Sequence, residues 1–282
     1  MRILVGVDKS EESQMALRYV CKLLEHFSAE VNALYVKPSV TEMVADGSYA
    51  PFVGKAALEK AIETDVRTVE EDIVEACQIC LAGKVDCNPR VVMGDPADEI
   101  LHAADVGDYN MIVLGSHGRS LLKGFLLGAV HAKILHHAKQ PVMLVRDARP
   151  INRILVAYRG SRCDQRALEF IAPLFQKKQP EITILHVQET EWGESKEFAE
   201  TCVLTGERTL ADFGYKPVKK TAKGDFVDEI LKSVAIERYD LLVLGAYGHN
   251  RPKYLSLLSD EALNLVRLST RPVLVYRDRT ET

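Results

Sequence analysis

The sequence predicts an α/β protein built as two tandem domains, each an open parallel sheet with helices on both faces. Three observations predict it. The chain repeats itself in order, short apolar runs alternate with amphipathic helical stretches, and in both copies a Gly-x-x-Gly directly follows an apolar run, at Gly115–Gly118 and Gly245–Gly248. The first copy covers residues 1–147 and the second 151–282. That length is enough for two ordinary cores.

The repeat carries the domain division. Arg2-Ile3-Leu4-Val5 matches Arg153-Ile154-Leu155-Val156, and Ser10, Gln14 and Ala16-Leu17 fall on Ser161, Gln165 and Ala167-Leu168. A second block matches Gly94-Asp95 with Gly224-Asp225 and Asp98-Glu99-Ile100-Leu101 with Asp228-Glu229-Ile230-Leu231. Tyr109 matches Tyr239, Val113-Leu114-Gly115 matches Val243-Leu244-Gly245, and Pro141-Val142 matches Pro272-Val273. The first copy is longer between the blocks, with the extra residues placed in Pro38–Lys55.

Within one copy, Ile3 to Val7 is a short β-rich apolar run and reads as a buried strand. Ser10 is a good N-cap, with Glu11 and Glu12 in the favourable first turn. Ala16, Leu17, Val20, Leu23, Leu24 and Phe27 then recur at helical spacing. Val31 to Val36 is the second strand, Gly54 to Leu81 a long helical stretch and Val85 to Val92 the third strand. Asp95-Pro96 starts a helix, because Asp caps and Pro suits the first helical position. Met111 to Leu114 is the fourth strand, a helix runs from Leu127 to His137, and Pro141 to Val145 is the last strand. Strands alternating with helices imply a parallel sheet covered on both faces. Such sheets bind ligands at the carboxyl ends of their strands, where the strand order reverses. Asp8 and Gly115 both stand at such ends.

Composition bounds the partners. A formal net charge of −4 argues against a general electrostatic grip on DNA or RNA. The opening MRILVGVDKS lacks the pattern of a signal peptide, and the apolar runs are too short to span a bilayer, so a cytoplasmic location is expected. The six cysteines, Cys21, Cys77, Cys80, Cys87, Cys163 and Cys202, are then expected as free, mostly buried thiols. Cys77 and Cys80 form a CxxC with Cys87 behind it, but zinc takes about four ligands and no second pair follows.

The chemistry-bearing stretch is Gly115-Ser116-His117-Gly118, nine residues, then Gly128-Ala129-Val130. The glycines allow close approach of backbone to a ligand. Gly128-Ala129-Val130 opens a helix, whose free N–H groups and dipole favour a phosphate. Arg119 and Lys123 add positive charge in the loop.

The G-x2-G-x9-G pattern, the opening strand ending in V-D-x-S, the Gly-Asp-Pro helix start and the closing P-V-x-x-V strand resemble the universal stress protein family. The resemblance covers nearly the whole chain, as a tandem two-domain member. It implies strand order 3-2-1-4-5 in each domain and pairing of the two last strands, Val142–Val145 with Val273–Tyr276, into a pseudo-dimer. It also implies an adenine nucleotide (ATP, ADP or AMP, with Mg as an accompanying ion). Val7, Asp8 and Val36 would surround adenine and ribose, and Leu114 and Gly115 would line the same cleft. Gly118, with Arg119 near it, would approach the phosphates, and Gly128, Ala129 and Val130 would hold them by backbone N–H.

Both copies depart from the family pattern. Ala129 stands where the family usually has Ser or Thr, which removes a hydroxyl contact worth about 0.5–1.5 kcal/mol. In the second copy Arg159 replaces Asp8, and the spacer leads to Leu258-Ser259-Asp260 with no glycine. Asp260 and Glu261 would repel a phosphate at that helix start, or cap the helix in its place. The expectation is one nucleotide, in the first copy only.

The remaining polar residues have ordinary readings. His117 is a loop residue, in contact with ligand or with solvent. His131, His136 and His137 ride on or near the last helix, and adjacent histidines do not share a helical face. Lys216, Lys219, Lys220 and Lys223 read as a solvated face. No nucleophile–base–acid set, HExxH or Walker lysine is present, and Asp8 is an acid–base candidate by position alone, so a binding module is expected rather than an enzyme. The rivals are a slow ATP hydrolase or nucleotidyl-transfer enzyme, and a ligand-free dimerisation scaffold.

Overall fold

The computed structural model describes residues 1–8, 10–24, 29–37, 60, 67, 71, 74–75, 87–116, 127–189, 193–246 and 259–277. The first half contains β1 (Arg2–Val7), α1 (Glu11–Leu23), β2 (Glu30–Lys37), β3 (Cys87–Met93), α2 (Pro96–Val106), β4 (Met111–Gly115), α3 (Ala129–His137) and β5 (Val142–Val145). The second half contains β6 (Arg153–Ala157), α4 (Arg162–Phe175), β7 (Glu181–Gln188), α5 (Lys196–Asp212), β8 (Val218–Lys223), α6 (Phe226–Glu237), β9 (Leu241–Gly245), α7 (Asp260–Leu268) and β10 (Val273–Tyr276). The expected Pro38–Lys55 insertion and Cys77–Cys80 lie outside the described residues.

The helices begin where polar side chains can satisfy their first N–H groups. Ser10 accepts from Ser13 N, Asp95 from Asp98 N and Asp225 from Asp228 N. Ser161 forms a full capping box with Asp164.

All ten strands form one sheet in the order β3-β2-β1-β4-β5-β10-β9-β6-β7-β8. Each half therefore has the order 3-2-1-4-5, with parallel neighbours throughout. The halves meet antiparallel, with Val142 opposite Val275, Met143 opposite Leu274 and Leu144 opposite Val273. These six side chains are almost fully buried, so the seam is a continuation of both cores. One core layer packs against α1, α4 and α5, the other against α2, α3, α6 and α7.

Two arginines add a reciprocal lock. Arg146, just beyond β5, donates from Nη2 to Val266 O in the last turn of α7 at 2.6 Å. Arg277, just beyond β10, donates from Nη1 to His136 O and Ala138 O at the end of α3, at 2.7 and 2.6 Å. Each half thus supplies the cation that meets the negative end of the other half's last helix.

Cys163 and Cys202 are free and buried, whereas Cys87 is disulfide-bonded, which corrects the expectation of free thiols. Reasoning from compartment ignores the local crowding of Cys77, Cys80 and Cys87 in the sequence. Among the described residues no helix is long and apolar enough to cross a membrane.

Candidate functional site

In the first half β1 leads to β2 on one side while β4 leads to β5 on the other, so the order reverses between β1 and β4. Gly6 of β1 pairs with Leu114 of β4, which brings Asp8 and Gly115 to one end of adjacent strands. Val36 and Leu114 are buried in the layer shared with α2 and α3. Val7 packs in the opposite layer, against α1. Val7 can therefore offer the cleft only its backbone.

Asp8 is exposed. Its Oδ1 accepts from the Ser10 N–H at 2.8 Å and from the Ser10 hydroxyl, while Ser13 Oγ donates to the Asp8 carbonyl at 2.6 Å. These bonds tie the end of β1 to the start of α1. Gly115 is needed for packing whether or not a ligand binds. A Cβ there would stand 2.1 Å from the Glu12 carbonyl oxygen and 2.7 Å from Ser13 N. Gly245 repeats this in the second half, where a Cβ would meet Asp164 Oδ1 at 2.5 Å. Survival of this glycine in both halves follows from helix–strand contact alone and is no sign of a ligand.

The N-terminus of α3 is different. Its N-cap is Gly128, which has no side chain with which to satisfy the first-turn N–H groups of the helix. Ala129 is exposed and Val130 half-buried. His131, three residues past the cap, brings Nε2 to 2.6 Å from Gly115 O. This contact ties the first turn of α3 to the end of β4, yet in the sequence His131 is only one of three histidines near the helix. Lys133, two residues further on, pairs with Asp95 at 3.2 Å and Asp98 at 2.8 Å at the start of α2. Gly118, Arg119, His117 and Lys123 lie outside the described residues.

The corresponding region of the second half holds its own side chains. Ser259, not Leu258, occupies the N-cap of α7, and its hydroxyl accepts from Ala262 N at 3.1 Å. This corrects the sequence register by one residue: Ser259 corresponds to Gly128, while Asp260 and Glu261 fill the first turn. Asp164 is 1% exposed and stands where the first half has Ser13. Its carboxylate accepts from Arg159 N at 3.0 Å, Ser161 N at 3.1 Å and Gly245 N at 3.1 Å. The Arg159 guanidinium lies 4.5 Å above the Phe226 ring centroid and 4.0 Å from Glu261 Oε2. It runs from the end of β6 to the start of α7, across the space that in the first half separates Asp8 from Gly128. Burial pushes the nearby Glu189 carboxyl up, against the pull of Arg159.

An open α/β sheet whose strand order reverses beside a glycine-capped helix is the arrangement at which α/β proteins commonly bind small ligands. The universal stress protein family model matches residues 1–146 and 150–277, and the chain belongs to that family. Universal stress protein Slr1230 of Synechocystis is 23% identical over 98% of this chain and 99% of its own length. A universal stress protein of Methanothermobacter thermautotrophicus is 32% identical over 45% of this chain and 88% of its own. The crystal structure of a universal stress protein from Archaeoglobus fulgidus shares the fold, with a TM-score of 0.75 at 24% identity over 99% of this chain and 98% of that one.

Proposed function

We propose that residues 1–147 bind an adenine nucleotide and that residues 151–282 form a structural partner whose own cleft is closed by its side chains. The observation that carries this reading is the contrast between Gly128 at the start of α3 and Ser259 at the start of α7. A hydroxyl that caps its own helix competes with an anion for the same N–H groups. Gly128 leaves those of Ala129 and Val130 for the mouth of the cleft, beside Asp8 and Gly115. Val36 and Leu114 supply apolar walls for a base. Arg119 and Gly118 complete the phosphate side in this reading, and Mg enters only as the counterion of the phosphates.

The protein acts in this proposal as a cytoplasmic stress-response module whose nucleotide occupancy sets its conformation or its partners. Ala129 gives no hydroxyl to a terminal phosphate, so discrimination of ATP over ADP and AMP is expected to be weak. The test is to extract small molecules from the protein as purified and identify them by mass, then titrate it with ATP, ADP and AMP by calorimetry. One nucleotide per chain is the expected result. Two per chain would overturn the asymmetry, and none from any nucleotide would overturn the reading itself. Phosphate release well above that of Asp8→Ala would turn the assignment towards a hydrolase.

A further inference from the structure

The connection between the two halves, residues 146–152, forms one wall of a cleft, and the ends of α1 and α4 form the others. The cleft encloses about 340 Å³ including its open mouth. Leu23 of α1, Ile151 of the connection, and Leu174 and Phe175 of α4 give it apolar walls. Lys22 of α1, Arg149 of the connection and Lys178 just beyond α4 add three cations, one from each segment.

Tyr19 of α1 completes the lining and is 1% exposed. Its hydroxyl has no hydrogen-bond partner, which costs stability for a buried donor. Packing does not require that hydroxyl. The repeat sets Phe170 at the same place in the second half, where a ring without a hydroxyl packs on Tyr276 with 5.6 Å between centroids. Burial, with Asp147 and Asp240 nearby, pushes the phenol well above its ordinary range, so it remains an O–H donor. Asp147 stands in the connection, and Asp240 accepts from Asn152 N and Arg153 N at its end, at 2.9 and 3.0 Å. The hydroxyl end of the ring therefore faces the connection.

The charges around the cleft do not cancel. Asp147 is shared between Arg149 at 3.1 Å and Arg271 at 3.4 Å. Lys22 donates to the Ala148 carbonyl at 2.6 Å, a contact that leaves its charge unbalanced. The Lys178 ammonium has no partner among the described residues. Lys22 and Arg149 are exposed side chains that can give way at the mouth.

We propose that this cleft binds a small organic acid, with its apolar body against Leu174 and Phe175 and its carboxylate between the Tyr19 hydroxyl and the ammonium groups of Lys22 and Lys178. An anion with no apolar body leaves the walls wet, and a neutral body leaves the cations without a counter-charge. The ligand bridges α1 to α4 and ties the two halves together on that face of the sheet. The site is separate from Asp8 and Gly128 and independent of the nucleotide reading.

Benzoate serves as the probe acid, benzamide as its uncharged counterpart, and inorganic phosphate as an anion with no apolar body. Calorimetry on the full chain should give one benzoate per chain, bound at least about tenfold more tightly than either control. Tyr19→Phe and Lys178→Met should each weaken benzoate at least about fivefold. Without benzoate, Tyr19→Phe should resist urea at least as well as the unaltered protein, because the hydroxyl it removes has no partner. Absence of benzoate binding would overturn the proposal. Benzamide or phosphate bound as tightly as benzoate would overturn the ligand class. Benzoate bound equally well by both variants would overturn the site. A Tyr19→Phe protein less stable without benzoate would show that the hydroxyl serves the fold, and would overturn its role as a ligand donor.

Discussion

At the end of β4 the first half sets Gly115 against the backbone of Glu12, and at the end of β9 the second half sets Gly245 against the carboxylate of Asp164. The strands, the helix and the glycine are the same, but the groups that occupy the space beyond them differ. In the first half a serine hydroxyl, Ser13, ties the turn after β1 by donating to the Asp8 and Ser10 carbonyls. In the second half Asp164 gathers three backbone N–H groups, Ser259 caps α7, and Arg159 crosses from β6 to Glu261. One fold thus exists in an open and a self-satisfied form within a single chain. The fold alone therefore does not predict a ligand; in the function proposed above, three or four side chains at the strand ends decide it.

The comparison can be broken at several points. Asp164→Ala should have the largest effect, because it leaves three buried N–H groups without their acceptor and costs about 3–5 kcal/mol. Ser13→Ala should cost about 1 kcal/mol, since the hydroxyl serves only two carbonyls. Urea unfolding of the two variants checks the ratio, and equal losses would contradict the asymmetry. Gly115→Ala should cost about 3 kcal/mol, because the added methyl meets backbone and not a flexible side-chain end. A loss of less than about 1 kcal/mol would mean that α1 yields easily.

The helix caps give a smaller and more diagnostic pair. Ser259→Ala should lower stability by about 1 kcal/mol. Gly128→Ser should change stability by less than about 0.5 kcal/mol yet weaken AMP binding, because the new hydroxyl closes the N-terminus of α3 as Ser259 closes that of α7. Unaltered AMP affinity in Gly128→Ser would show that the open cap is not what admits the phosphate.

The smallest effect concerns Glu189. Burial raises its carboxyl above the usual range in the folded state. Its ionised form is therefore disfavoured on folding, and the penalty applies above the folded value. Glu189→Gln should be slightly more stable at neutral pH, with the difference fading as pH falls through the folded value towards that of the unfolded chain. Melting temperatures across that range test the sign, and a variant less stable at neutral pH would show that Arg159 outweighs burial there.

Much of this organisation is legible in the sequence. The caps Ser10 and Asp95, the alternation of elements and the strand-terminal position of Asp8 and Gly115 all follow from local chemistry that acts over a few residues. The pairing of the last strands follows from family resemblance, and the structure gives its antiparallel sense. What escaped depends on contacts far apart in the chain. Asp164 reads as an ordinary first-turn acid until Gly245 is brought to it. Arg146 and Arg277 read as surface cations beyond the last strands until each meets the opposite half's helix. Spacing alone sets Leu258 opposite Gly128, whereas the cap is Ser259, because residue spacing carries no information about where a loop ends and its cap begins. His131 reads in the sequence as one of three histidines near the last helix, and only the fold brings its ring to the Gly115 carbonyl.

The antiparallel seam between β5 and β10 has a consequence for stoichiometry. A one-domain chain that paired through this strand would exchange partners and come apart on dilution. Here residues 146–152 join β5 of the first half to β6 of the second within one polypeptide, and a short tether holds its ends at an effective concentration of about millimolar. The first half is therefore always mated with the second, in a fixed ratio and at any protein concentration, and among the described residues the sheet edges left for another molecule are β3 and β8 at the far ends.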